Sequence, residues 1–209
     1  MEFCGCAAGA EEWKGRRVTS MSGADVERAV AEMVRVLGPH AGADWSVPAG
    51  TLEWSCWTTA AHVAHDLTAY AGQVAGGPAT RYLPFDLRVS PHAEPGDVLE
   101  IVTACGRLLA AAVDTARPDA AAWHWGRCDP GGFAAMGVAE TLLHTHDITC
   151  GLGLPWQPPP ELSAGVLRRL FPDAPDDGDP TEVLLWMTGR AELDGRPRRT
   201  SWTWQAALA

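Results

Sequence analysis

The stretch Met136-Gly137-Val138-Ala139-Glu140-Thr141-Leu142-Leu143-His144-Thr145-His146-Asp147-Ile148 constrains this chain more than any other. On an α-helix, Glu140 and His144 stand four residues apart and project from one face. Set among apolar neighbours, an acid and a histidine on that face cost folding free energy unless something pairs with them. A divalent metal is one such partner, and a third ligand from elsewhere in the chain would complete a catalytic-type site.

The chain has 209 residues, 46% of them hydrophobic, enough for one well-buried core and a small appendage. A net charge of −10 argues against nucleic acid or an anionic membrane as the main partner. No apolar stretch approaches the roughly 18–20 residues that span a bilayer. The opening Met1-Glu2-Phe3-Cys4-Gly5-Cys6 has no basic region followed by an apolar run, so no signal peptide and a cytoplasmic location are expected. The six cysteines form no CxxC pair, which speaks against a zinc knuckle or a dithiol redox motif. In a reducing compartment they are expected to serve as small apolar residues. Lysine occurs once, asparagine never and isoleucine twice, the imprint of GC-rich codons. Ten tryptophans are unusual, and since an indole favours burial with a partner for its N–H, most are expected to be structural.

Residues 1–21 lack periodicity and read as a flexible tail. A first helix opens at Ser22, with Asp25 as a capping-box partner, carries an apolar stripe from Val26 to Leu37, and stops at Gly38-Pro39. The second runs from an N-cap at Ser55 to about Val74, with Trp57, Ala61, Ala64, Leu67 and Ala71 facing inward. His62, His65 and Asp66 share an adjoining stripe. A long aromatic connection, about Gly76 to Pro95, reads as a crossover packed over the bundle. The third helix follows Pro95-Gly96-Asp97 and ends before Pro118. The fourth starts at Asp129-Pro130 and runs to Gly151, placed as its C-cap. Beyond Pro155 come two short helices, Glu161 to Leu170 and Thr181 to Thr188, the second capped by Asp179. A final segment, Arg196 to Gln205, reads as extended. The fold expected is all-α: a four-helix bundle over residues 22–155 with a long crossover, and a small C-terminal appendage, 156–209, packed on it.

His62 is available as the third ligand, in mid-helix among alanines. Taken alone, a histidine there is more often a hydrogen-bonded core or surface residue, and an acid–histidine pair at four-residue spacing is common on solvated faces. His65, Asp66, His146 and Asp147 are further candidates, and spacing does not choose among them.

Trp54-Ser55-Cys56-Trp57-Thr58-Thr59-Ala60-Ala61-His62-Val63-Ala64-His65 resembles a family segment in which a Trp-Thr/Ser helix start precedes a mid-helix histidine. Glu140-Thr141-Leu142-Leu143-His144-Thr145-His146-Asp147 is similar to the same family's Glu-x-x-x-His-x-x-Asp helix. Both belong to the DinB-like superfamily, specifically the N-terminal domain of mycothiol-dependent maleylpyruvate isomerase and its relatives. The resemblance covers about Ser22 to Pro155, and Leu184-Leu185-Trp186-Met187-Thr188-Gly189-Arg190 is similar to a Leu-Leu-Trp-x-x-Gly-Arg stretch of family members.

The resemblance implies a DinB-like four-helix bundle that binds a divalent metal, usually zinc, through His62, Glu140 and His144. His65, Asp66 and Asp147 would then line the pocket or support the ligands. Arg190 is the one arginine it offers as a thiol contact, although by itself that residue reads as a solvated surface arginine. Two neutral imidazoles and a carboxylate leave a zinc site one net positive charge and an open position, where a thiol or water loses its proton readily. Relatives use such a site to activate mycothiol, a low-molecular-weight thiol. GC-rich codons are compatible with bacteria that make it. The isomerase itself carries a further C-terminal domain, so S-transfer to a small electrophile is implied here as readily as isomerisation. Two other readings compete: the metal activates water in a hydrolase or lyase, or the bundle binds a ligand without catalysis. A monomer or homodimer is expected.

Overall fold

The structure, a computed structural model, describes residues 20–208. Six helices carry it: α1 (Gly23–Leu37), α2 (Cys56–Gly76), α3 (Pro95–Thr115), α4 (Pro130–Gly151), α5 (Pro160–Leu170) and α6 (Pro180–Met187), with a 3-10 turn at Gly38–His40. The fold is all-α, as expected. Apart from Ser20 and Met21, the expected tail lies outside the described residues; Met21 is buried.

Local chemistry accounts for the helix starts. The Asp25 carboxylate accepts from the Ser22 backbone N–H at 3.0 Å, Ser55 Oγ accepts from Thr58 N–H at 3.1 Å, and Asp129 Oδ1 accepts from Gly132 N–H at 2.9 Å. Asp179 caps α6 through the Thr181 N–H at 2.7 Å. The end of α4 departs from expectation. Gly151 remains helical, and Gly153, at φ +67°, takes the left-handed position. Gly151 serves a different purpose, since a Cβ there would lie 2.3 Å from the Pro48 carbonyl oxygen. Its missing side chain lets the segment before α2 lie directly on α4.

α1 packs on α3 and α4, and α2 packs on α3 and α4, which closes a four-helix ring. Contacts at the helix ends set the directions. The Gly23 N–H reaches Asp114 at 3.0 Å, so α1 and α3 are antiparallel. Trp57 Nε1–H donates to the Ala93 carbonyl at 2.8 Å, which joins the starts of α2 and α3 and makes them parallel. Cys56 Sγ lies 3.8 Å from the Ile148 carbonyl, so α2 and α4 run oppositely. Two successive parallel helices require a return connection along the bundle. Residues 77–94 provide it: Leu83 lies at Gly76, Phe85 over Gly72, Asp86 beside His65, and Ala93 at Trp57. This is the crossover expected from the length and aromatic content of that segment.

α4 is buried on nearly every side, from Phe133 through Ile148, as befits a helix apolar all round. α5 packs against it. Leu162, Val166, Leu167 and Leu170 of α5, with Val183 and Leu184 of α6, share one buried cluster with the bundle. No helix among the described residues is long and apolar enough to cross a membrane.

Other expectations are corrected. The buried stripe of α2 includes Ala60, Val63 and Tyr70, whereas Trp57 and Ala61 are only half-buried. A two-stranded hairpin, Ala122–Trp123 with Arg127–Cys128, occupies what reads as loop; two-residue strands carry no alternation to detect. Residues 196–205 form no strand, and the Gln205 N–H bonds instead to the Leu170 carbonyl at the end of α5, at 2.8 Å. Trp45, Trp57, Trp156 and Trp186 are structural, each with an N–H acceptor. Trp54, Trp125 and Trp202 are exposed, so they are not buried anchors.

Candidate metal centre

Because α2 and α4 are antiparallel, the turn of α2 that carries His62 faces the turn of α4 that carries His144, and Asp66, one turn on, faces Glu140. His144 Nε2 lies 3.1 Å and His62 Nε2 3.8 Å from Glu140 Oε2. One ligand atom from each of His62, Glu140 and His144 falls within 4.8 Å of the others. Among the described residues, this is the one group of three or more acids, histidines and cysteines close enough to hold an ion.

The surroundings hold each group in place. His144 Nδ1 meets Asp147 Oδ2 at 3.0 Å. Arg190 donates to the same carboxylate through Nε, 2.9 Å to Oδ1, and through Nη2, 2.6 Å to Oδ2. Glu140 shares a hydrogen bond with the Asp66 side chain, and its charge, after burial, raises the Tyr70 pKa. His62 Nε2 lies 3.3 Å from Asp66 Oδ2, and the Trp54 indole meets the His62 ring edge-on at 4.8 Å between centroids.

Without a metal, this packing shifts the titrations. Burial opposes a charged His144, but its hydrogen bonds to Asp147 and Glu140 prevail and raise its pKa to about 9. Burial, then the neighbouring Glu140 charge, lifts Asp66 to about 8. Burial lowers His62. Burial also works against the Glu140 and Asp147 charges, yet His144 holds both below the usual carboxylate range, with Arg190 helping at Asp147.

Both raised groups keep a proton in the folded state where the unfolded chain has lost it, so stability falls as pH rises. The His144 contribution is complete below its unfolded pKa of about 6.5 and is lost as pH passes through about 9. Asp66 acts in the same sense, from about 4 up to about 8. Chelator-treated protein should therefore melt at progressively lower temperature from pH 6.5 to 9. A melting temperature that is flat or rising over that range contradicts this assignment. Ligation needs a neutral imidazole, so apparent zinc affinity should rise over the same interval.

The three groups form the floor of a cleft of about 840 Å³, within the range of small-molecule sites. Trp54, Trp202 and Trp204 line it, with Arg190, Arg198 and Arg199. Arg198 Nη2 donates to Thr51 Oγ1 at 2.8 Å, and the Arg199 guanidinium lies 5.2 Å from the centre of the Trp186 ring. Among the described residues, no carboxylate pairs with Arg198 or Arg199.

The other candidates fall outside the triad. His65 Nδ1 turns to Asp86 of the crossover, 2.9 Å away. His146 Nε2 faces Cys150 Sγ at 3.6 Å, and its Nδ1 is buried without a hydrogen-bond partner. Asp147 sits behind His144, at Nδ1, and Asp66 flanks His62, with Oδ2 3.3 Å from its Nε2. Arg190, which reads from sequence as a solvated surface residue, has a side chain only 10% exposed. Its partner is an aspartate on α4, so no local pattern reveals the pair.

The family model of the mycothiol maleylpyruvate isomerase N-terminal domain matches residues 7–149. The chain belongs to that family. Comparison with the curated proteins and with solved structures found no match. In this family member the matched region contains His62, Glu140, His144 and Asp147, and it begins ahead of the residues the structure describes. Arg190, Arg198, Arg199, Trp202 and Trp204 lie beyond it.

Proposed function

We propose that this protein is a divalent-metal enzyme, with zinc the fitting ion, that activates a low-molecular-weight thiol, mycothiol. The thiol is used for S-transfer to a small electrophile or for its thiol-assisted isomerisation. One observation carries the reading: two imidazoles and a carboxylate converge within 4.8 Å at the floor of an open cleft. Their donor set suits zinc, and three protein ligands are the number that leaves room for a reactant. The same set serves ferrous iron in oxygenases; family membership favours zinc with a thiol.

His62 Nε2, Glu140 Oε2 and His144 Nε2 would hold the ion. When bound, it lowers the pKa of a thiol or water that reaches the open position. The remaining work falls to the chain. With Nε2 committed as ligand, His144 Nδ1–H donates to Asp147, which fixes the tautomer and the ring plane. In the metal-free protein burial and the Glu140 charge keep Asp66 protonated up to about pH 8, so that it can donate to the Glu140 carboxylate and help keep it turned to the histidines. Trp54 shields one side of His62. Arg198 and Arg199 supply positive charge along the wall for an anionic group of the incoming reactants.

Metal analysis of purified protein, followed by thermal shift with mycothiol against other thiols, tests the reading. Stoichiometric zinc and a selective stabilisation by mycothiol are expected. Turnover without any thiol would overturn it in favour of water activation.

A further inference from the structure

We infer that Arg190 is a positioning residue of the metal centre: it clamps Asp147, and through Asp147 it holds the His144 ring with Nε2 turned to Glu140 and His62. The inference rests on the reading of those three residues as metal ligands, and it assigns the C-terminal segment a part in building their site.

A carboxylate bonded only to a histidine can rotate about its terminal torsion. Arg190 removes that freedom. Its planar fork engages both Asp147 oxygens, at 2.9 and 2.6 Å, with side chains only 10% and 6% exposed. Oδ2 is shared between the guanidinium and His144 Nδ1, so the Arg190 bond sets where the histidine finds its acceptor.

Arg190 is itself held firmly. Nη1 donates to the Thr188 carbonyl at 3.2 Å, and the Arg190 N–H donates to the Leu185 carbonyl at 2.7 Å. The turn that aims it depends on Gly189, at φ +67°, where a Cβ would lie 2.6 Å from the Arg199 carbonyl oxygen. All three guanidinium nitrogens are thus engaged within the protein, which favours positioning over thiol contact. A lysine cannot reproduce two parallel bonds to one carboxylate.

The test compares wild type with Arg190→Gln, Arg190→Lys, Asp147→Asn and the Arg190→Gln/Asp147→Asn double variant. In metal-free protein, nitrogen–proton NMR of the His144 side chain should show a protected Nδ1–H signal, moved downfield by Asp147. Arg190→Gln should broaden or abolish it while the His62 signals stay. Zinc affinity, read by competition with a chromogenic chelator, should fall roughly 10–100-fold, the usual cost of losing a group that orients a ligand. The double variant should bind no more weakly than Asp147→Asn, because Arg190 acts through Asp147. Arg190→Lys keeps the buried charge paired, so it retains the fold even where Arg190→Gln does not, and it should still lose affinity.

A purely structural role would lower the unfolding midpoint but leave the His144 signal and zinc affinity unchanged. That result, or additive losses in the double variant, overturns the inference. Wild type that binds no divalent metal would overturn the proposed function and, with it, the metal-centre part of this inference; the His144 signal separately decides whether Arg190 holds Asp147 and the His144 ring.

Discussion

Zinc is expected to be absent from the His144→Ala variant under conditions where wild type retains about one ion per chain. His144 has the most constrained environment of the three proposed ligands. Its Nε2 lies 3.1 Å from Glu140, and its Nδ1 is tied to Asp147 at 3.0 Å. Removing it leaves an acid and the more exposed His62, a pair that cannot enclose an ion. An affinity loss of at least about a hundredfold should follow, against about tenfold or more for His62→Ala and Glu140→Gln. The fold should survive, because Asp147 keeps Arg190 and Glu140 keeps Asp66. Metal analysis after desalting, with competition titration, reads the result. Wild-type zinc content in His144→Ala would place the ion on other groups, with His65, His146 or Asp66 next to be tested.

The largest stability loss is expected at the opposite end of α4. Phe133 is fully buried, with its ring 6.0 Å from Tyr70 and 6.2 Å from His124 between centroids. Truncation to alanine removes an aromatic ring from a packed interior that can relax only in part, at a cost of about 3–5 kcal/mol. For a chain of this length that corresponds to a melting temperature lower by roughly 6–20 °C. His144 lies eleven residues on, about 16 Å along the helix, so zinc stoichiometry should be unchanged. A Phe133→Ala protein that melts like wild type would show that this end of the bundle is not packed as described.

These variants separate what could be read along the chain from what could not. The helices were legible because their signals are local. Ser22 with Asp25, Ser55, Asp129-Pro130 and Asp179-Pro180 mark starts by satisfying the first free N–H groups. The crossover was legible from its length and aromatic content. Gly151 misled because an apparent C-cap glycine can instead be required by a close backbone approach, here Pro48, over a hundred residues earlier in the chain. The segment 196–205 misled because threonine and tryptophan favour strands, yet no partner strand exists among the described residues to receive it.

The site divides along the same line. Helical spacing alone put Glu140 and His144 on one face, and the family resemblance selected His62. Which groups approach one another depends on the antiparallel register of α2 and α4, a product of core packing. That register sets His62 opposite His144 and Asp66 opposite Glu140, while His65 turns to the crossover. The clamp of Arg190 on Asp147 joins residues 43 positions apart, and it forms only because Gly189 ends α6 in a left-handed turn beside α4. By itself, the sequence determined the helices, their caps and the chemical types at the site, since each depends on neighbours within a turn or two. Only the tertiary structure decided the partners of those groups, because burial and hydrogen bonding between distant segments depend on how the apolar faces pack.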